Sequence, residues 1–146
     1  MIITNKHKVI IKMRIFQILI ALIFCIIAAG FVFKSAIPYD LRWPLLGILI
    51  GISVLILKKM AGLKIFYFEN SGFVFTIKYY HPAKKGIIFP LIEYPVDTVR
   101  TFKIERSFFT NTIIIDVSSK EKSRQIRIKV ADINDGDYYK MANSLK

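Results

Sequence analysis

Two long runs of apolar residues lie close together near the N-terminus, and no charged residue interrupts either of them. They extend over Ile15 to Phe33 and over Trp43 to Leu57. About 19 residues at a rise of about 1.5 Å per residue form a helix of about 28 Å, which matches the hydrocarbon core of a bilayer. The second run is shorter, but Trp43 on one side and Lys58 and Lys59 on the other are typical interfacial anchors. The sequence therefore predicts two transmembrane helices.

A cleaved signal peptide is the alternative interpretation of the first run, because basic residues precede it. The run is longer than the apolar region of a signal peptide, however, and a second apolar run follows it. Cys25 does not fit a lipoprotein attachment site, because the bulky residues Ile23 and Phe24 precede it. With a single cysteine there is no intrachain disulfide. We therefore favour two membrane spans.

The distribution of Lys and Arg predicts which side of the membrane each end faces, since these residues concentrate in cytoplasmic segments. The segment before the first run is basic and has no acidic residue, and the second run is followed by Lys58, Lys59 and Lys64. The connecting loop, Lys34 to Arg42, contains the acidic residue Asp40. The sequence thus predicts a multi-pass protein of the cytoplasmic (inner) membrane with its N-terminus and C-terminus both cytoplasmic.

The net charge of the chain is +12, and most of the excess lies next to the predicted spans. This distribution favours attraction to anionic headgroups, worth on the order of 1 kcal/mol for each basic residue near the surface. Nucleic acid is another partner of basic proteins, but the chain contains no nucleic-acid-binding motif. We expect membrane lipids as partners, together with a protein partner or a second copy of the chain, and no nucleic acid.

From Lys64 onward the sequence alternates between apolar and polar residues and is rich in Ile, Val, Phe, Tyr and Thr, which is typical of strands. A polar loop follows the second strand, and Pro90 restricts the third segment to an edge or bulged strand. The six predicted strands are Lys64–Phe68, Phe73–Tyr80, Ile87–Tyr94, Val99–Arg106, Asn111–Val117 and Arg124–Val130.

Alternation along the last two strands also predicts which side chains form the core. A helix is predicted over Tyr138 to Leu145, and spacings of three and four residues place its apolar side chains on one face. About 80 residues can enclose one small core of this kind. The predicted core positions are Ile113, Ile115, Val117, Ile126, Ile128, Val130, Tyr138, Met141 and Leu145.

The acidic segment before this helix, Asp132 to Asp137, has the composition of a calcium-binding loop. Its glycine comes one position too early for an EF-hand loop, and Asn143 stands where the final glutamate is required. Capping of the helix by Asn134 or Asp135 accounts for the same residues. We therefore expect no metal site.

Four segments of the strand-rich region carry a resemblance to a known family: Tyr94–Val99, Phe102–Phe109, Ile113–Ile115 and Gln125–Ile128. With the order of six strands and one helix after a transmembrane pair, they resemble the bacterial pleckstrin-homology-like (PH-like) domains. The resemblance implies a bent, partly open barrel that is closed at one end by a helix.

The predicted fold class is a membrane α + β protein with a two-helix transmembrane hairpin, followed by a PH-like, mostly antiparallel β domain with a C-terminal helix. The predicted domains are a basic cytoplasmic tail over residues 1–14, the transmembrane hairpin over 15–57, and the cytoplasmic PH-like β domain over 64–146.

Residues that carry catalysis are scarce. The two histidines, His7 and His81, have no neighbouring carboxylate or nucleophile in a recognisable motif. The chain also has no Gly-rich phosphate loop and no Cys or His cluster with the spacing of metal ligands. We expect no enzymatic activity, no catalytic residues and no cofactor.

Two features predict binding surfaces. Gly47 and Gly51 form a small-xxx-small pattern that lets helices approach closely, either within the hairpin or between copies. A set of basic residues on the predicted sheet either forms a solvated face or contacts anionic lipid or an acidic protein. This basic set is Arg100, Lys103, Arg106, Arg124, Arg127 and Lys129.

The predicted function is therefore that of a membrane-anchored, non-enzymatic binding or scaffolding module at the cytoplasmic membrane surface. The alternative is an accessory subunit of a larger membrane complex that assembles through the transmembrane hairpin.

Overall fold

The structure is a computed structural model that describes residues 1–32, 38–106, 111–118 and 123–145. The chain forms two compact units. One, which we call the β unit, combines Met1–Val9 with the chain from Lys64 onward, and the other, the helical unit, is Ile10–Leu63.

Two long helices account for the predicted apolar runs. They are α1 (Lys6–Val32) and α2 (Tyr39–Ala61), and both are long and apolar enough to cross a membrane. Helix α1 begins earlier than the apolar run because the basic residues before it are good helix formers. Phe33, where the first run ends, and residues 34–37 of the predicted connecting loop lie outside the described residues.

The β unit contains two antiparallel sheets and a C-terminal helix, α3 (Asp135–Ser144). A 3₁₀ turn, Val96–Thr98, joins the first sheet to the second. The first sheet has the strand order β1 (Ile2–Thr4), β2 (Ile65–Asn70), β3 (Val74–Tyr80) and β4 (Ile92–Pro95). The second has the order β5 (Val99–Glu105), β6 (Asn111–Ser118) and β7 (Ser123–Val130).

Strand β1 lies within the segment that the sequence assigns to a basic tail, residues 1–14. It pairs antiparallel with β2, with Ile3 opposite Phe68. The side chain of Ile3 is buried and belongs to the core of the β unit. The start of the chain is therefore part of the β unit, although some sixty residues separate β1 from β2.

Two buried asparagines form hydrogen bonds between separate elements of the β unit. The Asn5 amide nitrogen donates to the carbonyl of Ala131 at 2.8 Å, and its Oδ1 accepts the backbone N–H of Phe66 at 2.8 Å. The Asn70 amide nitrogen donates to the carbonyl of Ser144 at 2.6 Å. Because buried polar groups require partners, these bonds tie β1 to β7 and β2 to α3 at defined positions.

The predicted core is confirmed. Eight of its nine positions are buried, and the ninth, Ile126, is half-buried and packs against them. Phe66, Phe68 and Phe75 from the first sheet complete the same cluster. The alternation of the strands and the spacing in α3 thus identify the apolar interior correctly.

Three local predictions differ from the structure. The second predicted strand begins one residue later than expected, at Val74, because Phe73 is exposed in the turn after Gly72, whose φ of +97° favours glycine. The third predicted strand is confirmed as an edge strand but shortened to β4, since Pro90 cannot donate to the ladder. Asn134 occupies the N-cap position without a side-chain cap, because its Oδ1 accepts a hydrogen bond from Lys8 at 2.7 Å.

Candidate functional site

The outer face of the second sheet carries part of the predicted basic set. Lys103 of β5 and Arg127 of β7 lie in one cross-strand row, with Ile114 of β6 between them. Both basic side chains are exposed, whereas Ile114 is only 4% exposed although it faces away from the core. Since Lys and Arg lay their alkyl stems along apolar surface, the two neighbours account for this burial.

The next row on this face is a hydrogen-bonded network around Asp116. Thr101 Oγ1 donates to one carboxylate oxygen, and Gln125 Nε2 donates to the other at 3.0 Å. Arg127 Nε in turn donates to Gln125 Oε1 at 2.9 Å. These two hydrogen bonds to the carboxylate, together with the charges of Lys103 and Arg127, hold the pKa of Asp116 below its ordinary value of 3.8.

Because of this network, we expect the free energy of unfolding of the β unit to depend on pH in the acidic range. A carboxyl group whose pKa is lower in the folded state than in the unfolded state stabilises the protein at pH values above its unfolded-state pKa. This contribution is lost as the pH falls through the folded-state pKa. On acidification below about pH 4, Asp116→Asn is therefore expected to lose less stability than the unmodified chain. Urea unfolding of the full chain in detergent, at a series of pH values, measures the difference.

Thr101→Val is the matched variant, because it removes the donor to Asp116 and leaves the carboxylate in place. It is expected to reduce the acid dependence as well. Identical pH profiles for Asp116→Asn and the unmodified chain would show that the network does not couple to folding.

Lys129 of β7 lies exposed on the same outer face, in the row of Glu105 and Thr112, whereas the other three basic residues are placed differently. Arg106 forms an ion pair with Asp135 at the start of α3, with 3.2 Å between Arg106 Nη2 and Asp135 Oδ1. Arg100 occupies a β-bulge, where the register shifts between Val99 and Thr101, and the bulge leaves its side chain exposed. Acidic Asp116 and Glu105 also lie among the basic residues of the outer face, so its charge is mixed.

An open cleft of about 440 Å³ lies between the edge strands of the two sheets, β4 and β7. It is lined by residues 91–94 on one side and residues 124–128 on the other, and we call it the β4–β7 cleft. Its apolar lining includes the buried side chains of Ile92 and Ile128. Arg124, Arg127 and Glu93 are exposed and line it as well, so both apolar and charged side chains line the cleft.

One hydrogen bond joins the two sheets beside this cleft. The Tyr79 hydroxyl of β3 donates to the carbonyl of Lys129, one residue beyond the lining on β7, at 2.9 Å. Burial raises the pKa of Tyr79 above its ordinary value, so the hydroxyl stays protonated and keeps this bond at neutral pH. The bond fixes the spacing between the sheets at this position.

In the helical unit, Gly47 and Gly51 lie on an open part of α2. An added Cβ at either position would meet nothing within 4 Å among the described residues. Packing through this pattern, either within the hairpin or between copies, stays a prediction. The two glycines leave a groove on the helix surface that another helix can approach closely.

Of the residues that line the cleft, the sequence predicts only Arg124 and Arg127 as site residues, and none on the β4 side. The cleft depends on which strands end each sheet, and strand order is not encoded in the alternation of a single strand. Pro90 before β4 and Pro95 at its end do indicate an edge strand, since proline is confined to the edges of sheets.

The geometry defines a chain that joins two long apolar helices to a two-sheet antiparallel β unit with a C-terminal helix. No protein-family model, curated protein or solved structure matches it. Within residues 1–32, 38–106, 111–118 and 123–145, no three His, Cys, Asp or Glu side chains lie together as metal ligands would.

Proposed function

We propose that this protein is a non-enzymatic binding module anchored in the cytoplasmic membrane, and that its β4–β7 cleft takes an extended, acidic segment of a partner protein. The position of the cleft between two edge strands is the main support for this site. An edge strand presents backbone N–H and C=O groups that a further strand can pair with.

The surface of the helical unit supports the membrane anchor. Almost none of the apolar window of α1 or α2 is buried within the structure, 6% and 0% respectively. Apolar side chains such as Phe24, Trp43 and Leu55 are exposed on these helices. Since water disfavours contiguous apolar surface of this extent, a lipid environment accounts for it best.

The pairing of β1 with β2 supports the hairpin topology. Strand β1 precedes α1, and β2 follows α2, yet the two strands are hydrogen-bonded in one sheet. Two crossings return the chain to the side from which it started, which allows this pairing. The basic residues next to the helices favour the cytoplasm as that side.

The charges of the cleft support an acidic partner segment. Arg124 and Arg127 line it on the β7 side, against Glu93 on the β4 side. The apolar residues of the lining suit the alternate side chains of an extended segment, which would point into the cleft while the others point away.

The arrangement of the β unit supports the proposal that it is PH-like. The family resemblance implies a partly open barrel closed by a helix. Two antiparallel sheets that share one core with α3 agree with that expectation.

Charge reversal in the cleft is the test of the proposed site. We expect the double variant Arg124→Glu/Arg127→Glu to lower partner capture by about tenfold or more, because two exposed ion pairs of up to about 1 kcal/mol each become repulsive. Capture is measured in native membranes by photo-crosslinking from p-benzoylphenylalanine placed at Glu93 in the cleft, followed by mass spectrometry of the crosslinked peptide.

The control variant is Arg100→Glu, which reverses an exposed basic residue that does not line the cleft. It is expected to leave the crosslink unchanged. A crosslink that forms equally well from Lys103 on the outer face, or that survives the double reversal, would contradict the cleft as the site.

A second candidate function rests on the open surface at Gly47 and Gly51. In this alternative the protein is an accessory subunit that contacts a larger membrane complex through α2. Replacing both glycines with leucine would then abolish capture, whereas reversal of the cleft arginines would leave it intact.

A further inference from the structure

The segment between β3 and β4 exposes large apolar side chains. Ile87, Phe89 and Leu91 are 80%, 75% and 58% exposed. Lys84 and Lys85, just before them, are exposed as well. Single exposed apolar residues are common on protein surfaces, but three within five residues next to a lysine pair form a patch with the chemistry of a lipid interface. We call residues 84–91 the apolar loop.

The register of the first sheet places this loop at one end of the β unit. It leaves β3 after Tyr80, which pairs with Ile65 at the start of β2. It returns where the Leu91 N–H donates to the carbonyl of Ile77 at 2.8 Å. The apolar loop thus projects from the end of the sheet at which β2 begins.

Both long helices connect to the β unit at this same end. Helix α2 ends at Ala61, four residues before Ile65, and an extended chain of that length covers at most about 14 Å. Helix α1 begins at Lys6, directly after Asn5, whose N–H donates to the carbonyl of Phe66 at 3.3 Å. The chain therefore connects both helices to the end of the sheet that carries the apolar loop.

We propose that Ile87 and Phe89 insert into the interfacial region of the bilayer that holds the helices, with Lys84 and Lys85 against its anionic headgroups, while Leu91 stays with the β4–β7 cleft that it lines. This inference rests on the proposed membrane anchoring. The tether raises the local concentration of the loop at the lipid surface, so a short apolar segment suffices for stable contact. The contact gives the β unit a second attachment to the membrane and limits its rotation about the helix connections.

Phe73 provides an internal comparison for Phe89 in this loop. Phe73 is 86% exposed, more than Phe89, but it stands in the turn before Val74, at the opposite end of β3. The proposal predicts that Phe73 stays in water while Phe89 enters lipid. Exposure alone would treat the two phenylalanines alike.

Nitroxide labels on the full-length chain in vesicles measure this difference. In a Cys25→Ser background, single labels are placed through Phe89→Cys, Phe73→Cys and Val54→Cys, the last within the apolar run of α2. Collision with oxygen reports lipid, and collision with a water-soluble nickel chelate reports water. We expect high oxygen and low nickel accessibility at positions 54 and 89, and high nickel accessibility at position 73.

Two further experiments, one that changes the lipid composition and one that changes the lysine pair, test whether charge attraction holds the loop at the membrane. Position 89 is expected to lose protection from nickel when phosphatidylglycerol is omitted from phosphatidylcholine vesicles, and also in the variant Lys84→Gln/Lys85→Gln. A label at 89 as open to nickel as the one at 73 would overturn the loop contact while position 54 still supports the anchor. A label at 89 shielded from both oxygen and nickel would indicate burial against protein and would also overturn it. If position 54 is open to nickel, the anchor itself fails.

Discussion

Replacing Phe68 with alanine is expected to lower the free energy of unfolding of the β unit by about 3 to 5 kcal/mol. The side chain is fully buried, and its ring lies 6.4 Å from that of Phe75, centroid to centroid. The substitution removes this contact and leaves a cavity where β1, β2 and β3 meet. Thermal or urea unfolding of the full chain in detergent, followed by near-ultraviolet circular dichroism, measures the loss.

Phe73→Ala is the control, because it makes the same chemical change at an exposed position five residues away. It is expected to change stability by less than about 0.5 kcal/mol. Equal effects of the two substitutions would contradict the assignment of Phe68 to the core and of Phe73 to the turn.

Replacing Asn5 with alanine is expected to have the next largest effect. The side chain is only 3% exposed and satisfies two backbone groups, the N–H of Phe66 and the carbonyl of Ala131. The Phe66 N–H is buried, and leaving it without a partner costs roughly 1 to 3 kcal/mol, whereas Ala131 is exposed to water. The free energy of unfolding should fall accordingly, and hydrogen exchange should become faster at the Phe66 amide.

Asn143→Ala is the matched control, since Asn143 is an exposed asparagine on α3. Alanine is the better helix former, so this variant is expected to be as stable as the unmodified chain or slightly more stable. Unchanged stability in Asn5→Ala would show that the start of the chain is not fastened to the β unit.

Much of the architecture follows from patterns within short segments. The unbroken apolar runs predict α1 and α2, and the alternation along β6 and β7 predicts the buried row from Ile113 to Val117. The spacing of Tyr138, Met141 and Leu145 likewise predicts the face of α3 that meets the core. These patterns are local, because each reflects one element with one buried side.

Features that depend on distant pairing could not be predicted in this way. Strand β1 has three residues, too few to show alternation, and it exists because β2, far along the chain, provides its partner. The bulge at Arg100 changes which side chains of β5 face outward, and no residue there marks it in the sequence. The position of Arg106 depends on distant contacts as well, since Arg106 meets Asp135 only once α3 is in place.

We propose that the helix pair crosses the cytoplasmic membrane and that β1 and the rest of the β unit lie together on the cytoplasmic side. Labelling of single cysteines with a membrane-impermeant maleimide in intact cells, in a Cys25→Ser background, tests it most directly. We expect Pro38→Cys between the helices to react in intact cells, whereas Ile2→Cys and Phe73→Cys should react only after the membrane is opened. Reaction of Ile2→Cys and Phe73→Cys from opposite sides, or reaction of all three in intact cells, would contradict it.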